Sequence, residues 1–135
     1  MAFCAHLLPR RDAVWWACGS VRAFLGDAVQ DQRRALAVAE AWVYAPTDQN
    51  RRAALDIGTQ SDSSDPLTWL ALGAGWAGGL LSAHPQTPVQ VPPYMTARAV
   101  RIAILLGTRH IRPPDQAGRK RACITEGIRL AENGL

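Results

Sequence analysis

Lysine is almost missing from this chain. Fourteen of its fifteen basic residues are arginine and Lys120 stands alone. A GC-rich coding bias explains that imbalance more simply than selection for arginine's bidentate fork. Glutamate is nearly as scarce: Glu40, Glu126 and Glu132 are the only three, and none sits in an acid/base pattern. The histidines His6, His84 and His110 show neither HxxxH nor HExxH spacing, so no metal site is expected. Cysteine is limited to Cys4, Cys18 and Cys123, an odd set without a CxxC pair. That argues against a disulfide framework and for a reducing cytosol. No phosphate-cradling loop is recognisable, because GAGWAGG lies inside a helical pattern and follows no strand. These absences lead to the expectation of a non-enzymatic protein without a cofactor.

Targeting signals are equally thin. The apolar opening MAFCAHLL precedes its arginines instead of following them, the wrong order for a secretory signal, and it is too short. The stretch Leu67–Ala83 carries no charge, but it falls short of the roughly 20 residues of a membrane span and contains four glycines. A buried helix is expected there, no membrane insertion, and a cytoplasmic location.

What the chain has in quantity is helix formers. Its 135 residues include 23 alanines and 14 leucines, with five tryptophans and a net charge of +4. One domain, residues 1–135, accommodates them. Pro9 is placed to open a helix running to about Leu25, with Val14, Cys18, Val21 and Leu25 as its apolar stripe. A second helix is expected from about Val29 to Tyr44, stopped by Ala45-Pro46. Thr47 caps a third that ends near Gly58–Ser61, and Pro66 opens a fourth that runs to about Leu81. The segment 84–93, with four prolines and no charge, reads as an extended strap instead of a strand or helix. Thr96 is expected to cap a fifth helix to about His110. The last helix runs from about Asp115 to Asn133 with Ile124, Ile128, Ala131 and Leu135 as its stripe. The expected architecture is an all-α, compact bundle of five or six short helices with a Pro-rich crossover.

Four features bear on function. Arg10 and Arg11 occupy the first turn of a helix, where the dipole disfavours cations by a few tenths to about 1 kcal/mol. A compensating anion is expected, either a carboxylate in the fold or one on a partner. The adjacent Trp15 and Trp16 project about 100° apart, so either one is core and the other a surface anchor, or both are core. Small residues recur as Ala71, Gly75, Gly79 and as Ala74, Gly78, Ser82, with Trp69 and Trp76 on a common face. Such rows permit a close crossing within the fold, a groove for a partner helix, or a homodimer contact. Arg98, Arg101, Arg109 and Arg112 share one arc with Leu105 at its middle. A solvated face is the plain reading of that arc and a seat for an acidic partner the sharper one. Nucleic acid is not favoured, because no aromatics are interleaved with the basic set and no helix-turn-helix is clear.

The segments FCAHLLPRRDAVWWACGSVR, AEAWVYAPTDQNRRAA, WLALGAGWAGGLLS and VPPYMTARAV together resemble an uncharacterised bacterial family of small helical proteins encoded in type VI secretion gene clusters. The resemblance covers most of the chain from Phe3 onward and brings no catalytic residues with it. It implies a role in handling effectors or spike components. A cytosolic adaptor or chaperone-like protein is therefore expected, binding a secretion effector, spike or accessory protein. The expected contacts are Arg10, Arg11, Trp15 and Trp16, then Trp69, Trp76, Gly78 and Gly79 under a strap of Val91–Tyr94, with Arg98 and Arg101 on the basic face. The alternative is an immunity-type protein that neutralises a cognate toxin.

Overall fold

Apolar residues at helical spacing dominate the chain, and in the computed structural model the described residues form seven α-helices. The structure describes residues 2–26, 33–78, 80–82 and 89–135. The helices are α1 (Ala2–Leu7), α2 (Arg10–Leu25), α3 (Arg33–Tyr44), α4 (Asp48–Gln60), α5 (Pro66–Gly75), α6 (Met95–Thr108) and α7 (Gln116–Asn133). A 3₁₀ turn at Pro113–Asp115 makes the corner before α7. The fold is an all-α bundle. Helix α5, apolar all round and almost wholly buried, is its axis and packs against α2, α3, α4 and α6.

Local chemistry sets most of the boundaries. Pro9 precedes α2, Thr47 accepts a hydrogen bond from the Asn50 amide at the start of α4, and Asp65 accepts one from Leu67 ahead of Pro66. On α2, Val14, Cys18 and Val21 are fully buried and Leu25 is partly so. On α3, Leu36, Ala39, Trp42 and Val43 are buried as their spacing requires. The expected start of that helix near Val29 lies outside the described residues.

Four expectations are corrected. Residues 2–7 form a helix, α1, that periodicity over so short a segment could not show. Helix α5 stops at Gly75 instead of near Leu81, and Leu80–Ser82 pairs antiparallel with Val89–Gln90 as strands β1 and β2. The early stop leaves these carbonyls satisfied: those of Gly73, Gly75 and Ala77 accept hydrogen bonds from Thr96, Arg51 and Arg10, which permits the helix to end there. Thr96 is accordingly not a cap but a buried residue of α6, which begins after Tyr94.

The fourth correction concerns α7. Its buried residues are Cys123, Gly127 and Leu130, whereas Ile128 and Leu135 are exposed. The ring of Trp16 decides this. A Cβ on Gly127 would stand only 3.0 Å from that ring and 3.2 Å from the Cys4 sulfur, so the glycine face is the one that fits beneath it.

All three cysteines are buried, unpaired thiols. Burial pushes the Cys18 thiol far above its ordinary value of 9.0, with the Glu40 carboxylate adding to the rise and Arg22 opposing it. Burial also raises Cys123, against the opposing hydrogen bond with Ser20. Because the folded values are raised, the thiols leave stability untouched below about pH 9 and reduce it above, where only the unfolded chain ionises. Stability is expected to fall above pH 9 by up to about 1.4 kcal/mol per pH unit for Cys18 alone. Urea titrations of the protein and its Cys18→Ala variant from pH 7 to 10.5 measure this. Equal slopes for the two above pH 9 would refute it.

Candidate functional site

One end of the bundle gathers the start of α2, α4 and α6 with the finish of α3 and α5. Arginines close it. The Arg11 Nε donates to the Val43 carbonyl at 2.6 Å, Arg10 Nη1 to Ala77 at 2.9 Å and Arg51 Nη1 to Gly75 at 3.1 Å. Val43 and Gly75 stand in the last turns of α3 and α5, where unsatisfied carbonyls carry partial negative charge. The anion expected beside Arg10 and Arg11 is therefore the C-terminal end of a neighbouring helix, not a carboxylate. Arg119 repeats the device elsewhere, donating to Ala23 near the end of α2 at 2.9 Å. Arg51 is also held by Asp48, whose carboxyl lies below its ordinary value because of that hydrogen bond and the charge of Arg52.

Around these clamps the surface is cationic and aromatic. Tyr44, the last residue of α3, is 89% exposed, and Trp15 on α2 is 42% exposed. Tyr94 is exposed ahead of α6, and the Arg98 guanidinium lies over its ring at 4.4 Å. Arg10, His6, Pro93 and Tyr94 line a cleft of about 80 Å³ between α1, α2 and the start of α6. A partner side chain or carboxylate could enter it, but the volume is too small for a drug-sized ligand. Among the described residues no group of three or more His, Cys, Asp or Glu is placed to hold a metal ion.

The expected contact residues divide accordingly. Arg10 and Arg11 lie at this end with Arg98, which stacks on the Tyr94 of the Arg10 cleft. Trp15 is exposed one turn after Arg11 on α2, and Arg101 and Leu105 follow Arg98 on the exposed face of α6. Trp16 does not join them: it is 1% exposed and its Nε1 donates to the Cys123 carbonyl at 2.8 Å, so it is a core residue. Of the two adjacent tryptophans, then, one is core and one is at the surface. Trp69 and Trp76 meet edge to face with centroids 6.2 Å apart, both half-buried. Gly78 has open space at its Cβ position, and Gly79 lies outside the described residues.

The row Ala71, Gly75, Gly79 is interrupted where α5 ends, and its close crossing is internal. A Cβ on Gly75 would lie 2.7 Å from the Leu55 Cα of α4. At Gly75 the small residue therefore serves the packing of α5 on α4. Two features escaped the sequence reading: Tyr44, whose exposure at a helix end has no periodic signal, and the arginine clamps. An arginine where the dipole opposes it was the available clue.

The fold and this end define a small helical bundle with an arginine- and aromatic-rich pole. No helix among the described residues is long and apolar enough to cross a membrane. The chain belongs to a family of unknown function, DUF6931, whose model matches residues 1–131. No curated protein and no solved structure matches it.

Proposed function

We propose that the protein is a non-enzymatic adaptor whose arginine- and aromatic-rich pole seats an acidic, partly apolar surface of a protein partner. The observation that carries this reading is the exposure of Trp15, Tyr44 and Tyr94 beside Arg10, Arg11 and Arg98 on backbone pinned by tertiary hydrogen bonds. Arginine and large aromatics dominate binding energy at interfaces, and rigid helix ends limit the ordering entropy. The resemblance to a bacterial family encoded beside type VI secretion genes supplies the partner: a secretion effector or spike component, held in the cytosol before export.

Affinity purification of the tagged protein from its host, with mass spectrometry of stoichiometric partners, tests this. Trp15→Ala combined with Tyr44→Ala is expected to weaken capture of that partner by at least about tenfold. Helicity by circular dichroism should stay unchanged, because both side chains are exposed. Unaltered capture by the double variant would remove the pole as the docking surface. Recovery of the protein alone, under conditions that retain secretion complexes, would remove the adaptor reading itself.

A second reading, neutralisation of a cognate toxin, draws on the exposed row of Arg98, Arg101 and Leu105 on α6, with Arg109 at its end. Such a contact would be tight and salt-sensitive. Expression of the protein alone would then rescue cells from the toxin, whereas an adaptor leaves toxicity unchanged and alters delivery.

A further inference from the structure

On α7 the residues Ile124, Ile128 and Ala131 recur at helical spacing, and Leu135 follows just past the helix end. At 100° per residue this stripe is turned about 100° away from the buried face of Cys123, Gly127 and Leu130. Among the described residues it is an amphipathic stripe left open toward its C-terminal end: Ile124 is half-buried, whereas Ile128 is 48% and Leu135 57% exposed. Beside α7, and packed on it where Cys4 faces Gly127, α1 leaves Phe3 and Leu7 exposed as well.

Charge selects the occupant. Arg121 and Glu132 lie on the same flank of the stripe, about 20° apart around the helix and about 16 Å apart along it. Neither is part of an ion pair among the described residues. Two copies of α7 laid parallel would bring Arg121 of each beside Lys120 on the opposite flank of the other, a like-charge pair. Laid antiparallel, they set Arg121 of each copy within reach of Glu132 of the other, and they oppose the two helix dipoles. We infer that the exposed stripe of α7 is the interface of an antiparallel homodimer with its two-fold axis near Ile128. One helix with the apolar pair of α1 beside it covers less than the roughly 800 Å² per partner of a tight complex, so dissociation falls in the range of about 1–100 μM. This surface is separate from the arginine-rich pole, and the inference stands whether or not that pole binds a partner.

Sedimentation velocity of the full chain over a concentration series reads the association directly. The expected result is a monomer–dimer equilibrium that Ile128→Glu abolishes, with helicity unchanged because the side chain is half in solvent. Arg121→Glu should weaken the dimer at least about tenfold. The double variant Arg121→Glu, Glu132→Arg should restore it to within about threefold of the original. A monomer at about 500 μM overturns the proposal. So does a dimer indifferent to Ile128→Glu, or a charge-swapped pair that fails to recover.

Discussion

Trp16→Ala is expected to lower stability by about 3–5 kcal/mol, a large share of the roughly 5–15 kcal/mol that holds a domain of this kind together. The indole fills the space between α1, α2 and α7. Its ring lies 3.0 Å from where a Gly127 Cβ would stand, and its Nε1–H bonds the Cys123 carbonyl at 2.8 Å. Helix α7 rests chiefly on α1 and α2, so removing the indole leaves a cavity under its middle turn without other helices to close it. Trp16→Phe keeps most of the volume and loses the hydrogen bond, so it should cost only about 1–2 kcal/mol. Urea unfolding of both variants gives the comparison. A Trp16→Ala loss below about 1 kcal/mol would mean that α7 is not anchored there. Trp15→Ala, its exposed neighbour, should by contrast leave the unfolding midpoint nearly unmoved.

Gly75→Ala should destabilise by about 1–3 kcal/mol, although alanine is the better helix former. The added methyl would lie 2.7 Å from the Leu55 Cα and 2.9 Å from its nitrogen, and a helix backbone cannot yield as a flexible side chain does. Helices α4 and α5 must move apart, which also stretches the Arg51 bond to the Gly75 carbonyl. Two residues earlier the sign reverses. At Gly73 the methyl would meet Ala99, Val100 and Val14 at 3.6–3.7 Å, ordinary contact distances. Gly73→Ala is therefore expected to stabilise by up to about 1 kcal/mol through helix propensity. Thermal melts of the two single variants decide the matter. Shifts of the same sign would show that backbone contact at Gly75 does not govern the α4–α5 crossing.

Much of the helical plan can be read along the chain. The Thr47 cap, Pro66 at a first turn, the stop at Ala45-Pro46 and the stripe of α2 are local features, each acting within one turn of the residue that shows it. The candidate site was legible only in part. Arg10, Arg11, Trp15 and Arg98 were recognisable as unusual because each breaks a local preference or repeats along a face. Tyr44 and the carbonyl ends opposite the arginines gave no such sign, since their importance comes from other helices, 24 to 67 residues away along the chain.

Composition and periodicity alone determined an all-α bundle rich in buried alanine and leucine, since helix spacing and capping are properties of neighbouring residues. Tertiary structure decided which of two apolar stripes on α7 is buried, where α5 stops, and which of Trp15 and Trp16 is core. Each of those choices is made by a contact between helices: an indole that needs a glycine beneath it, a carbonyl that finds an arginine, a backbone that leaves no room for a methyl. Residues 3.6 to a turn say that a stripe exists, but only the shape of the opposing helix says which stripe it accepts.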